Sequence, residues 1–188
     1  MSIVAVQQQN KIHPHKFTLW VGIGSILMMF AGLTSAYIVK RNQANWAGFD
    51  LPAAFYYSTV IILASSGTLW LAMKAFKERM MPRYRMLMAG TMILGILFLA
   101  FQVYGFMQLI QQGVTLKGNV SFSFLYVIVG LHALHVIGGI IALIIMSLKA
   151  FGKKSRNYSI VPVDLISTYW HFVDILWLYL LMFLIMIR

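Results

Sequence analysis

The sequence predicts an all-α integral membrane protein whose chain crosses the bilayer five times. Of the 188 residues, 61% are apolar and only 10% are charged, and the mean hydropathy is +0.81. This composition is typical of membrane proteins and not of soluble domains. Five stretches that are almost free of charge reach the roughly 20 residues that a helix needs to cross a hydrocarbon core, and none is long enough to span twice.

Each helix follows from one such stretch and its flanking residues. The first run begins after a mostly polar arm, the second opens at Pro52 in a favoured first-turn position, and the third ends in a glutamine-rich segment closed by Gly113. The fifth contains one charged residue, Asp174. The predicted helices are about 17–39, 52–73, 84–110, 121–148 and 164–187, after a cytoplasmic N-terminal arm of residues 1–16. The connections are too short for a soluble domain, so residues 1–188 form a single membrane domain.

Basic residues predict the orientation of the chain. Eleven of the 15 lysine and arginine residues fall in the N-terminal arm and in the second and fourth connections, which lie on one side of the membrane. The excess of positive charge in cytoplasmic loops therefore places the N-terminus in the cytoplasm and the C-terminus in the periplasm. The same loops offer contacts for anionic lipid headgroups. The predicted headgroup contacts are Lys74, Lys77, Arg79, Lys153, Lys154 and Arg156.

Composition also excludes several classes of function. The sequence has no cysteine, so disulfides, thiolate nucleophiles and thiolate metal sites are excluded. Nucleic acid is not an expected partner despite the net charge of +11, because the basic residues are distributed among the connections without interleaved aromatic residues. Aromatic residues, 14% of the chain, are interpreted as lipid-facing and interface residues. No catalytic, cofactor-binding or metal-binding residue is predicted.

Small residues in the second and fourth helices predict close helix packing, because they allow backbones to approach. Gly138 and Ala142 form one small-xxx-small pair. The full predicted packing set is Ser65, Ser66, Gly67, Gly130, Gly138, Gly139 and Ala142.

Four polar residues lie deep in the last two spans: His132, His135, His171 and Asp174. Spacing of i, i+3 puts each pair on one helical face, and the two pairs lie at similar depths. We predict a structural polar cluster in which Asp174 pairs with a histidine, first His135 and otherwise His171, because an unpaired carboxylate at this depth is costly. The alternatives are a proton relay and haem ligation. A second intramembrane carboxylate for a relay is missing, and adjacent turns cannot supply both axial ligands of one haem.

Two strings in these helices resemble subunit III of the haem-copper terminal oxidases. They are residues 130–139, Gly-Leu-His-Ala-Leu-His-Val-Ile-Gly-Gly, and residues 169–177, Tyr-Trp-His-Phe-Val-Asp-Ile-Leu-Trp. Weaker agreement at Ser65-Ser66-Gly67, Leu94-Gly95, Phe98 and Gln102 extends the resemblance over nearly the whole chain. The chain is similar to the five-helix bacterial form, which lacks two N-terminal helices of longer members.

The resemblance implies a non-catalytic subunit of a proton-pumping cytochrome c oxidase in the bacterial plasma membrane. Haem and copper would belong to subunit I, the main partner, with subunit II and other respiratory complex subunits nearby. The family's role is to support the assembly, stability and proton uptake of subunit I and to bind phospholipid between its helices. Two membrane acids of many members are replaced here by Ile26 and Gly105, so roles assigned to those acids do not transfer.

Other interpretations remain open at the level of sequence. One is subunit III of a quinol oxidase or a five-helix accessory protein of a nitric oxide reductase. Another class comprises a free-standing small transporter and a two-histidine haem b membrane protein. The sequence lacks the inverted repeat that marks many secondary transporters.

Overall fold

In the computed structural model the protein is all-helical, as predicted, with five helices long and apolar enough to span a membrane. The structure describes residues 14–42, 46, 48–116, 118–151 and 160–187. The helices are α1 (Pro14–Arg41), α2 (Ala53–Lys77), α3 (Met81–Gln111), α4 (Val120–Phe151) and α5 (Ile160–Ile187). Most of the predicted N-terminal arm and the residues Lys153, Lys154 and Arg156 lie outside the described part of the chain.

Most helices extend beyond the bounds predicted from the uncharged runs, by up to four residues at an end. The added turns carry charges, for example Lys40 and Arg41 at the end of α1 and Lys74 and Lys77 at the end of α2. Charge ends an apolar run but does not end a helix, because lysine and arginine are good helix formers whose long side chains reach the interface. The second helix begins one residue after Pro52, whose carbonyl accepts a hydrogen bond from the Phe55 N–H.

Four helices form a closed bundle and the first lies outside it. In this bundle α2 packs on α3, α3 on α4, α4 on α5 and α5 on α2. Helix α1 packs on α4 and α5 but not on α2 or α3 within the described ranges. Helices α4 and α5 each contact three other helices. The apolar window of α5 is the most buried of the five.

The ends of α2 and α3 are closed by the same backbone motif. After α2, Arg79 adopts a left-handed conformation (φ 57°), and the Met80 N–H donates to the Ala75 carbonyl over 2.9 Å. After α3, Gly113 takes that position with φ 80°, and the Val114 N–H donates to the Leu109 carbonyl. In each case the hydrogen bond satisfies a carbonyl in the last turn of the helix. Both connections are therefore short and reverse the chain directly.

The two ends of the bundle differ in charge. We call the end with the starts of α1, α3 and α5 the basic end, and the other the opposite end. At the basic end, Lys16 of α1 forms a salt bridge with Asp164 of α5. Both side chains are partly exposed, so the pair contributes little to the stability of the fold.

Candidate functional site

The centre of the bundle is organised around the indole of Trp170 on α5, which is 1% exposed. Its Nε1–H donates to the Ser65 hydroxyl of α2 over 3.1 Å. A Cβ built on Gly95 of α3 would lie 2.8 Å from the ring, and one built on Gly139 of α4 would lie 3.0 Å from it. Trp170 therefore touches all three other helices of the bundle, and only residues without a side chain leave it room.

Five of the seven predicted packing residues fall into two groups. Ser65 and Gly139 pack inside the chain, and the Ser65 hydroxyl also donates to the Thr91 carbonyl of α3. Gly67 and Gly130 face outward, with nothing within 4 Å of an added Cβ among the described residues. Gly138 is also exposed, its nearest neighbour being the Tyr169 hydroxyl at 3.9 Å. These three glycines do not bring helices of this chain together, because the α4 and α2 faces that carry them point away from the bundle.

Gly95, Trp170 and Trp177 are packing residues that were not predicted from the sequence. Both tryptophans are essentially buried, at 1% and 0% exposure, so the interpretation of the aromatic residues as lipid-facing is wrong for them. Trp177 donates through Nε1 to the Thr59 hydroxyl of α2 over 2.9 Å. A usable signal was present, since the two tryptophans are seven residues apart and so share one face of α5.

His171 meets α2 at the level of Trp170, and Asp174 lies about one turn further along α5. The Ser66 hydroxyl lies 2.6 Å from His171 Nδ1, a hydrogen bond between α2 and α5. The Asp174 carboxyl is 2% exposed and lies near the same hydroxyl, but neither of its oxygens has a hydrogen-bond partner within the described residues. Ser66 has one proton to donate, so its bond to His171 and a bond to Asp174 compete.

Neither histidine pairs with Asp174 as predicted. His135 Nδ1 lies 2.7 Å from the Leu131 carbonyl of its own helix, and its ring lies edge-on to Phe30 of α1. Residue numbers place His135 and Asp174 at similar depths, but they do not give the rotation of α4, which turns His135 towards α1. His171 is on the right helix, but it bonds to Ser66 instead of the carboxyl.

His132 occupies an aromatic cage between four helices. Its ring stacks on Trp177 with centroids 5.2 Å apart and lies edge-on to Phe30 and Phe98. It is 1% exposed, and neither ring nitrogen has a hydrogen-bond partner in the described part of the chain. Because aromatic rings surround the imidazole on several sides, a haem could reach it only after the core had repacked. The four predicted polar residues thus separate into the Ser66–His171–Asp174 group, His135 beside α1, and the caged His132.

A second buried polar contact lies nearer the opposite end. Gln102 of α3 is 2% exposed and its Nε2 donates to the Ser58 hydroxyl of α2 over 3.1 Å. One turn further along α3, an added Cβ on Gly105 would lie 3.3 Å from the Phe55 ring. A larger side chain at 105 would have to displace that ring. An acidic side chain at this position would therefore require the Phe55 ring to shift.

The predicted headgroup residues Lys74 and Lys77 line a groove between α2 and α5 at the basic end, with a volume of about 330 Å³. Within the described ranges, no group of three histidine, aspartate or glutamate side chains is placed to hold a metal ion. The larger open cavity, about 770 Å³, lies at the opposite end between the α1–α2 and α3–α4 connections.

Comparison with known proteins gives this arrangement its family. The sequence model described as cytochrome c oxidase subunit III matches residues 44–187, which includes α2 to α5. The chain belongs to the cytochrome c oxidase subunit III family. A probable cytochrome c oxidase subunit 3 of Nocardia farcinica is 31% identical over 84% of this chain and 80% of its own length. The subunit 3 of Corynebacterium diphtheriae is 29% identical over 84% and 83%.

A relative with another name is also similar. A probable quinol oxidase subunit 3 of Staphylococcus saprophyticus is 25% identical over 93% of this chain and 89% of its own length. The expected resemblance to oxidase subunit III is thus confirmed. The two strings on which the resemblance rests, residues 130–139 and 169–177, contain four residues that lie in the bundle centre: Trp170, Trp177, His132 and Gly139. In this chain those four motif residues serve helix packing.

Proposed function

We propose that this chain is the third subunit of a bacterial cytochrome c oxidase in the plasma membrane, where it supports the assembly, stability and proton uptake of subunit I. The match of the family model over α2 to α5 carries this proposal. Subunit I, with its haem and copper, is the proposed main partner, and subunit II and other respiratory complex subunits are further partners. Anionic phospholipid is the proposed bound ligand of the basic end.

Purification of the tagged chain in a mild detergent tests the proposal. We expect a haem-containing subunit to co-purify and the preparation to consume oxygen with reduced cytochrome c. Once separated from its partners, the chain is expected to have no Soret band. A Soret band that stays with the isolated chain would support a haem b protein instead, and purification without any haem partner would contradict the subunit role.

The outward face of α4 is the proposed contact with subunit I. Gly130 and Gly138 lie on this face, together with Leu134 and Ile141, which are 62% and 52% exposed. Small residues on an exposed helix face allow a neighbouring helix to approach closely.

We therefore expect Gly138→Leu to release the subunit from the complex while the chain itself stays folded. A native gel of gently solubilised membranes measures the release, and the thermal unfolding of the isolated chain measures its folding. Ile175→Leu, on an exposed face of α5, is the matched control. An intact complex containing Gly138→Leu would show that the contact lies on another face.

The electron donor is a separate point, because relatives named for cytochrome c and for quinol are both similar to this chain. We propose cytochrome c, since the relatives with that name have the higher identity. The purified complex should oxidise reduced cytochrome c faster than a quinol. The reverse preference would make the protein a quinol oxidase subunit.

The proposed topology places the basic end in the cytoplasm. Leu116, 52% exposed beside α4, and Glu78, at the exposed end of α2, lie at opposite ends of the bundle. Leu116 is chosen as the labelling position in the α3–α4 connection. Asn119 in the same connection is avoided because its side chain accepts a hydrogen bond from the Ser121 N–H and caps α4. We expect an impermeant thiol reagent to label Leu116→Cys in spheroplasts, and Glu78→Cys only after lysis. Labelling of Glu78→Cys in intact spheroplasts would show that the chain has the opposite topology.

A further inference from the structure

The outward face of α4 is bordered by two polar side chains in an otherwise apolar surface. Leu134, Ile137 and Ile141 are exposed on this face, at 62%, 42% and 52%. His135 and Tyr169 border it, and both are partly exposed. His135 lies near the middle of α4, roughly 23 Å from each end of the helix. Since the core of a bilayer holds no water, a polar group at that depth needs a hydrogen-bond partner from protein.

The hydrogen bond of His135 within α4 determines the role of its second nitrogen. Nδ1 lies 2.7 Å from the Leu131 carbonyl, which can only accept, so a ring proton is on Nδ1. No acidic side chain of the described residues forms a salt bridge with this imidazole, so the neutral ring is favoured and Nε2 is an acceptor. Nε2 has no hydrogen-bond partner in the described ranges and, unlike both nitrogens of His132, is not enclosed.

The Tyr169 hydroxyl adds a second acceptor beside the first. It donates its proton to the His135 carbonyl over 3.1 Å, which leaves the lone pairs of its oxygen free. The same oxygen lies 3.9 Å from a Cβ built on Gly138, so it borders the outward face where a neighbouring helix can approach closely. We call His135 Nε2 and the Tyr169 hydroxyl oxygen the acceptor pair.

The neighbouring helix α1 does not supply a donor to the acceptor pair. The α1 side chain packed on the His135 ring is Phe30, with centroids 5.9 Å apart, and it has no polar group. One turn further along α1, the Thr34 hydroxyl is hydrogen-bonded to the Tyr179 hydroxyl. The Ser25 hydroxyl donates to a carbonyl of its own helix. A donor for the acceptor pair therefore has to come from outside the bundle.

We infer that the acceptor pair is a recognition point for a transmembrane helix of subunit I that presents a hydroxyl, amide or indole donor opposite His135 and Tyr169. The inference rests on the proposed assembly with subunit I and adds the chemistry of the contact. Apolar packing along α4 does not distinguish one apolar helix from another. A covered acceptor does, because a helix without a donor leaves it unsatisfied.

Dissociation of the purified complex on dilution in a mild detergent, followed by mass photometry, tests the inference. His135→Leu removes the acceptor and should raise the apparent Kd about fivefold, which corresponds to roughly 1 kcal/mol. His135→Gln, whose amide oxygen can take the place of Nε2, should stay within about twofold of the wild type. Tyr169→Phe should also raise the Kd. Tyr104→Phe makes the same change on an exposed face of α3 and should have no effect.

Three results would overturn the inference. One is a wild-type Kd for His135→Leu. Another is a Kd for His135→Gln as high as that for His135→Leu, since the shape of the ring would then matter and not its acceptor. The third is an equal effect of Tyr169→Phe and Tyr104→Phe.

Thermal unfolding of the isolated variants is measured in parallel. Should His135→Leu fail to fold, Tyr169→Phe, which removes a single oxygen atom, decides the question against Tyr104→Phe. Co-purification of the haem-containing partner with the wild-type chain is scored first. Its failure would contradict the proposed function, whereas an intact wild-type complex that is indifferent to these substitutions would contradict only the inference.

Discussion

Replacing Gly139 by leucine is expected to destabilise the isolated chain by about 3 kcal/mol or more. A Cβ at this position already lies 3.0 Å from the Trp170 ring, and leucine adds three further carbon atoms. The indole would have to move, and it would then lose its hydrogen bond to the Ser65 hydroxyl. Overpacking and a buried N–H without a partner are both costly. Gly95→Leu, which meets the other edge of the same ring at 2.8 Å, should be at least as severe.

The measurement is equilibrium unfolding of the purified chain in mixed detergent micelles, followed by tryptophan fluorescence. Gly130→Leu is the matched control, since nothing described lies within 4 Å of an added Cβ there. We expect the control to change the free energy of unfolding by no more than about 0.5 kcal/mol. If Gly139→Leu and Gly130→Leu unfold at the same denaturant concentration, Trp170 is not the tight contact that joins the four helices.

Replacing Asp174 by asparagine is expected to leave an assembled oxidase with near-normal oxygen consumption and proton uptake, whereas Asp174→Leu should impair assembly. Asparagine has nearly the same shape as aspartate and can accept a hydrogen bond from Ser66 through its carbonyl oxygen. Leucine is bulkier and offers no hydrogen-bonding group beside the Ser66–His171 bond. Because Asp174 is only 2% exposed, the surrounding core should tolerate asparagine better than leucine.

The two variants also distinguish a structural role from a proton relay. An amide cannot pass a proton onward, so a relay through Asp174 predicts that Asp174→Asn abolishes proton uptake in a fully assembled complex. Oxygen consumption and proton release by vesicles that contain each variant are the measurements. Ser66→Ala is an informative companion, because it removes the hydroxyl that His171 and Asp174 share without adding volume. Loss of proton uptake in assembled Asp174→Asn would contradict the structural role.

The sequence by itself determined the helices and their class. Long uncharged runs predict five spans because backbone N–H and C=O groups in a bilayer must be hydrogen-bonded within the protein, and a helix achieves this within one segment. The prediction therefore depends only on residues that are close together in the chain. The bounds of the spans were less well defined, because Lys40, Arg41, Lys74 and Lys77 end an apolar run without ending a helix. The two motif strings likewise gave the oxidase subunit III family, which the comparisons confirm.

Only the tertiary structure decided which residues of those helices meet. Depth along a helix follows from residue number, but the rotation of one helix against another depends on how all the side chains pack. This is why His135 turned out to face α1 and not Asp174, and why Gly139 contacts Trp170 while its neighbour Gly138 faces outward. The partners of Trp170 come from α2, α3 and α4, so no pattern local to α5 could identify them.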